Sequence, residues 1–244
     1  MFAINLPYNP LLPIAQATAE ASGEADNLDA MQNDPLMIIA TVGIAIYVFK
    51  LWLDDFKANQ AGKPTAKPLP GAYPAPSKAI WIGVIGALII LGIETGGEIM
   101  LGLSAEQSDV TVLALFSWIT AAFIEELIFR GFLVVDGKGT AALVGSIIAF
   151  SLLFTLLHPF FWKLDMPEGV DGWQIWQGTL TWDFSSKAWF TSAILFINSL
   201  WFYTVRFWAL NPQKSLIPCM AAHFASNLGV FAVKLVQGHV VGLY

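Results

Sequence analysis

An all-α fold, a polytopic membrane bundle of about six transmembrane helices around an intramembrane polar cavity, is predicted by three observations. Hydrophobic residues make up 56% of the 244-residue chain and charged residues only 12%, against about 25% charged in an ordinary soluble domain. Apolar runs near the ~20 residues that cross a hydrocarbon core recur six times. Ionisable or amide side chains recur inside three of those runs. A charge at bilayer depth costs at least ~2.5–3.5 kcal/mol on insertion scales, so such residues face a polar interior and by default mark a functional site.

The elements follow in chain order. Residues 1–35 carry five acids (Glu20, Glu24, Asp26, Asp29, Asp34) and no Lys or Arg. They lack the basic n-region of a signal peptide and read as a disordered acidic tail. The spans run from Leu36 to Leu53, Ile80 to Leu103, Val110 to Val135, Thr140 to Phe161, Ala188 to Leu210 and Leu216 to Val236. Residues 54–79, with the stretch "KANQAGKPTAKPLPGAYPAPSK", form an irregular linker rich in Pro, Gly and Lys. The loop from Trp162 to Lys187 holds four of the ten tryptophans, Trp162, Trp173, Trp176 and Trp182. Tryptophan favours the headgroup level, so this loop is expected to lie along the membrane surface as an aromatic anchor.

Charge sets the orientation and excludes one class of partner. With the N-terminus outside, nine basic residues (Lys50, Lys57, Lys63, Lys67, Lys78, Arg130, Lys138, Arg206, Lys214) fall on one side and three (Lys163, Lys187, Lys234) on the other. The richer side is cytoplasmic by the positive-inside rule. The expected location is a bacterial cytoplasmic (inner) membrane, both termini outside. A net charge of −6 argues against a nucleic-acid partner, which needs clustered Lys and Arg. The single cysteine, Cys219, rules out an internal disulfide framework.

Side chains four apart share a helix face, whereas adjacent ones diverge by about 100°. In "EELIFR", Glu126 and Arg130 are therefore expected to pair, leaving Glu125 to find a partner on another helix. "FTLLH" puts Phe154 and His158 on one face of the fourth span, and "HFASN" puts His223 and Asn227 on one face of the sixth. A carboxylate, two imidazoles and an amide are able to activate water and stabilise an oxyanion. The same residues admit structural readings: a histidine bonded to a backbone carbonyl, an asparagine joining helices, a proton path. Glu125, His158 and His223 also form an alternative zinc set. Glu94 and Glu98 share a face in "GIETGGEIM" and are expected to be solvated, and Gly92 and Gly96 offer a small-xxx-small surface for close helix approach. At ~1.5 Å per residue, these boundaries put Glu125 about 15 Å and His158 about 27 Å from the cytoplasmic end, a mismatch the structure must resolve. His223, at about 11 Å on the same scale, agrees better with Glu125.

"EELIFR", "FTLLH" and "HFASN" match, in order, the EExxxR, FxxxH and HxxxN motifs of the CAAX-processing and bacteriocin-processing (CPBP, or Abi) intramembrane endopeptidases. The resemblance covers about Val110 to Val236, within a protease-like core of residues 80–244. It implies that Glu125 activates the attacking water, with His158 shuttling the proton. It further implies that His223 and Asn227 stabilise the oxyanion, and that Glu126, Arg130 and Phe154 support the site. A glutamate-type, metal-independent protease without a cofactor is the expected activity. Membrane-protein or lipopeptide substrates and the lipid bilayer are the expected partners. Two other readings stand beside it: a non-catalytic scaffold or immunity factor, and a proton- or ion-coupled transporter. The lack of internal repeats weighs against the transporter.

Overall fold

The computed structural model describes residues 35–167, 170 and 174–243; the expectations for the acidic tail and for Trp173 lie outside them. Six α-helices form the bundle: α1 (Pro35–Gln60), α2 (Ser77–Leu101), α3 (Ala114–Glu125), α4 (Thr140–Leu157), α5 (Ser186–Phe207) and α6 (Ile217–Gln237). Between α4 and α5 an antiparallel hairpin, β1 (Trp162–Asp165) and β2 (Thr179–Trp182), pairs Trp162 with Trp182 and Asp165 with Thr179. The protein is thus a polytopic helical membrane protein. By length and composition, α2, α4, α5 and α6 can each cross a membrane.

Local chemistry sets the ends. Ser185 caps α5, its Oγ accepting from Ala188 N–H at 3.2 Å. Pro218 stands in the first turn of α6, where its missing N–H is not needed. Gly102 ends α2 in the left-handed region at φ 72°, its N–H bonding back into the last turn. The outer faces of α2 and α4 expose stripes at four-residue spacing, such as Ile85, Ile89 and Ile93 or Ile148, Leu152 and Leu156. That pattern suits lipid in place of water.

Three expectations need correction. The third span is not one α-helix: after Glu125 it continues as a π-helix, Glu126–Leu133. Gly92 and Gly96 face away from the bundle, where an added Cβ would meet nothing within 4 Å. The close approaches on α2 fall instead at Gly86, where a Cβ would run into the Trp201 indole, and at Gly97, beside the Phe190 ring. Glu98 is not solvated; it is buried and accepts from Gln107 Nε2 at 2.5 Å.

The helix depths also resolve. Val135 N–H donates to Ser146 Oγ at 3.1 Å, so the C-terminal end of the π segment stands beside Ser146 and not beside Thr140. The connection 134–139 descends alongside the first turns of α4. Counted from the Ser146 level, His158 lies ~18 Å along α4 in place of ~27 Å from Thr140, which narrows the gap to Glu125. The earlier mismatch came from equating the two span ends.

Of the expected linker 54–79, residues 54–60 and 77–79 belong to α1 and α2, and residues 61–76 are irregular but docked. Trp52 Nε1 donates to Pro70 O at 3.1 Å, Asn59 Nδ2 to Ala72 O at 2.9 Å and Leu216 N–H to Gly71 O at 3.1 Å. Gly71 has φ +63°, and any Cβ there would strike Leu216. Ala72 joins Trp52, Ala87, Leu127, Phe202, Val205, Leu216, Cys219 and Ala222 in the main core.

Candidate active site

The switch from α-helix to π-helix falls between the two glutamates. π-Helical turns are rare and occur often at functional sites. Here the wider turn lets both carboxylates meet one imidazole from α6. His223 Nδ1–H donates to Glu126 Oε1 at 2.8 Å, and His223 Nε2 lies 3.8 Å from Glu125 Oε2. The pairing expected between Glu126 and Arg130 is present, Nη1 to Oε1 at 3.1 Å. Glu126 and Arg130 are fully buried, whereas the Glu125 side chain keeps 26% of its surface exposed. One carboxylate is locked into the protein, and its neighbour stays accessible.

Arg130 sits in a cage that α4 and α5 complete. Its Nη2 donates to Ser199 Oγ at 2.7 Å, and Ser199 Oγ in turn donates to Ser151 Oγ at 3.0 Å. The guanidinium lies 4.5 Å from the Phe154 ring centroid, 4.9 Å from Tyr203 and 5.2 Å from Phe202, within cation–π range. Tyr203 Oη donates to Phe129 O at 2.8 Å, satisfying a carbonyl of the π segment. Phe202 stacks on His223 at 4.8 Å and 20°, so one phenyl group touches both Arg130 and His223. The carboxylate, guanidinium and imidazole are thus held by packing on every side.

His158 is the extended residue that ends α4, half-buried against Phe154 at 4.6 Å between ring centroids. Its Nδ1 contacts Phe154 O at 2.8 Å; a carbonyl only accepts, so Nδ1 carries the proton and Nε2 keeps its lone pair. Among the described residues His158 bonds neither glutamate. Asn227 Nδ2 donates to Trp118 O on α3 at 3.0 Å, which joins α6 to the helix bearing Glu125. The alternative zinc set is not assembled: among the described residues no three His, Cys, Asp or Glu side chains are grouped to hold a metal ion.

The sequence reading missed Ser151, Ser199, Phe202 and Tyr203. A signal was present, since Ser199, Phe202, Tyr203 and Arg206 follow i, i+3, i+4, i+7 spacing and all four are buried. A family model described as Rce1-like, type II CAAX prenyl endopeptidase Rce1-like, matches residues 107–229. That stretch contains every residue of the three motifs and the whole Arg130 cage. No curated protein and no solved structure matches the chain.

Proposed function

Because the chain belongs to the Rce1-like family of type II CAAX prenyl endopeptidases, we propose that it hydrolyses peptide bonds of membrane-associated protein or lipopeptide substrates with a glutamate-activated water. The observation that carries this reading is His223 held between two carboxylates, 2.8 Å from Glu126 and 3.8 Å from Glu125. Glu125, the accessible carboxylate, takes a proton from water as the water oxygen bonds to the scissile carbonyl carbon. His158 assists through Nε2, the ring nitrogen left free by the bond to Phe154 O.

The carbonyl oxygen becomes an oxyanion beside His223 and Asn227. To donate to it, His223 Nε2 must carry a proton, which makes the ring a cation between Glu126 and Glu125. The proton gained from water then passes to the amide nitrogen, the C–N bond breaks, and a carboxylic acid and an amine leave. Glu126 and Arg130 hold His223 in place throughout. In this scheme side chains move the protons, and the mechanism is proposed as metal-independent. By its basic residues, the reading places the N-terminus outside a bacterial cytoplasmic membrane.

The test is cleavage of a farnesylated peptide ending in a CAAX sequence, and of its unprenylated counterpart, by purified protein in liposomes. Wild type is expected to cleave with or without a strong zinc chelator. Glu125→Gln is expected to lower kcat by ~10²–10⁴, the range of a lost general base, with His158→Ala and His223→Ala also impaired. Cleavage that survives Glu125→Gln sinks the mechanism; chelator sensitivity moves the same residues to a metal site.

A further inference from the structure

We propose that the apolar face of the hairpin formed by β1 and β2 seats in the lipid interface at its end of the bundle, and that this seat holds His158 in register. The second half rests on the protease reading above; the first does not. Directly opposed residues of an antiparallel pair share a face. Trp162 with Trp182 and Leu164 with Leu180 therefore make one face, and Lys163 with Thr181 and Asp165 with Thr179 the other. The polar face is closed on itself: Thr181 Oγ1 donates to Asp165 Oδ2 at 2.9 Å, and Lys163 Nζ lies 3.8 Å from Asp183 Oδ2. The apolar face is open. Leu180, Trp182 and Phe184 are each at least half exposed, and Phe184 stacks parallel on Trp182 at 6.2 Å.

What covers that face follows from its continuity with the helices on either side. On α5, Trp189, Ala193 and Ile197 form an exposed stripe at four-residue spacing, the same lipid-facing pattern as on α2 and α4. The Phe161 ring packs on Trp189 at 4.9 Å and on Phe184 at 6.1 Å. An unbroken aromatic row, Trp182, Phe184, Phe161 and Trp189, thus carries the α5 stripe onto the hairpin. On the other flank Trp162 Nε1 donates to Leu156 O at 2.9 Å, and Leu156 belongs to the exposed stripe of α4. A surface continuous with two lipid-facing helices meets lipid, and tryptophan favours the headgroup level. The polar face carries one lysine against two aspartates, so burial of apolar area, and not attraction to anionic headgroups, drives the contact.

The seat adjoins the site. Only residues 159–161 separate His158 from β1. Phe160 N–H donates to His158 O at 2.8 Å, and the Phe160 ring lies nearly parallel to the imidazole at 6.1 Å. Asp183 N–H donates to Phe161 O at 2.9 Å, which ties this connection to the end of β2. His158 has already left the helical conformation of α4, so its place depends on these contacts as well as on the bond from Nδ1 to Phe154 O. The hairpin is a positioning element: it acts on the reaction through His158.

The test uses the full chain, whose own thiol, Cys219, is buried. Leu180→Cys and Thr181→Cys, neighbours on opposite faces, each receive a fluorophore. In phosphatidylcholine liposomes the probe at 180 is expected to be quenched by lipid bearing a nitroxide high on its acyl chain, and the probe at 181 by aqueous iodide. Adding anionic lipid is expected to change neither. Equal iodide quenching at both positions, or lipid quenching at 180 that needs anionic lipid, overturns the seat. For the second half, Trp182→Ser with Phe184→Ser is expected to lower kcat on the farnesylated peptide by up to ~10²-fold, the cost of a ~1 Å misplacement. KM and unfolding temperature are expected to change little, because both rings are exposed. NMR of isotope-labelled histidine reads the same event on the three histidines of the chain: the His158 signal shifts while those of His223 and His239 stay. Unchanged kcat with an unmoved His158 signal overturns the positioning role, as does movement of all three signals with a lower unfolding temperature. Either result leaves the protease reading standing while Glu125→Gln is inactive. Activity in Glu125→Gln overturns that reading instead and leaves the lipid seat in place.

Discussion

Arg130 and Glu126, a guanidinium and a carboxylate with no exposed surface, form a fully buried ion pair. Breaking a buried ion pair costs ~3–5 kcal/mol, because the remaining charge loses its partner. Arg130→Met is expected to destabilise by about that much, measured as thermal unfolding in detergent. Arg130→Met combined with Glu126→Gln should recover part of the loss, since no isolated charge remains. Recovery of stability without activity would separate the fold-holding role from the positioning of His223. A second residue-scale prediction concerns Asp136, whose carboxyl is held below its usual value of 3.8 by the hydrogen bond from Lys214 Nζ, 2.6 Å away. A depressed folded pKa means that the pair stabilises above about pH 3.8 and that the contribution fades as pH falls through the folded value. Both side chains are more than a third exposed, so screening limits the pair to ~0.2–1 kcal/mol. Asp136→Asn is expected to lower the unfolding temperature slightly at pH 7, with a deficit that shrinks as pH falls below 3.8; a deficit that does not shrink on acidification would sink this assignment.

At the scale of elements, the backbone does as much as the side chains. The sequence could not distinguish the π segment from an α-helix, because "EELIFR" pairs Glu126 with Arg130 in either. What it did reveal was the pair itself, since four-residue spacing survives the change of helix type. The convergence of Glu125 and Glu126 on His223 was not legible, because adjacent residues of a regular helix diverge. Glycine roles on α2 were misread for a related reason. A small-xxx-small pattern gives spacing but not direction, and Gly92 and Gly96 point outward while Gly86 meets Trp201. Gly92→Ala is therefore expected to be neutral or to stabilise by up to ~1 kcal/mol through helix propensity. Gly86→Ala should destabilise by ~1–3 kcal/mol as the indole is displaced. Thermal unfolding of the two variants decides it, and equal effects would mean that Trp201 does not pack on α2 as described.

For the whole molecule, hydropathy found the helices because it integrates over a span, and misplaced ends average out. The docking of residues 61–76 was illegible, because it depends on contacts far along the chain: Pro70 against Gly131, and Ser215 Oγ with Tyr73 O. Those contacts, with Lys214 to Asp136, gather connections 61–76, 134–139 and 208–216 at one end of the bundle. At the other end, Val110 bridges Val240 and His239 meets Asp109 at 2.9 Å. The hairpin that follows α4 lies on that side too. Alternating helices therefore sort the loops into two sets, and the set carrying Lys63, Lys67, Lys138 and Lys214 is expected on the cytoplasmic side by the positive-inside rule. The one thiol, Cys219, is buried and should resist a membrane-impermeant reagent, so the native chain provides a silent background. In sealed right-side-out vesicles, Lys163→Cys on that background is expected to label directly and Lys67→Cys only after permeabilisation. Labelling of both from outside would break the alternation of the helices. The reverse order would keep the two-ended bundle and turn the protein over, placing residues 61–76 on the outer face.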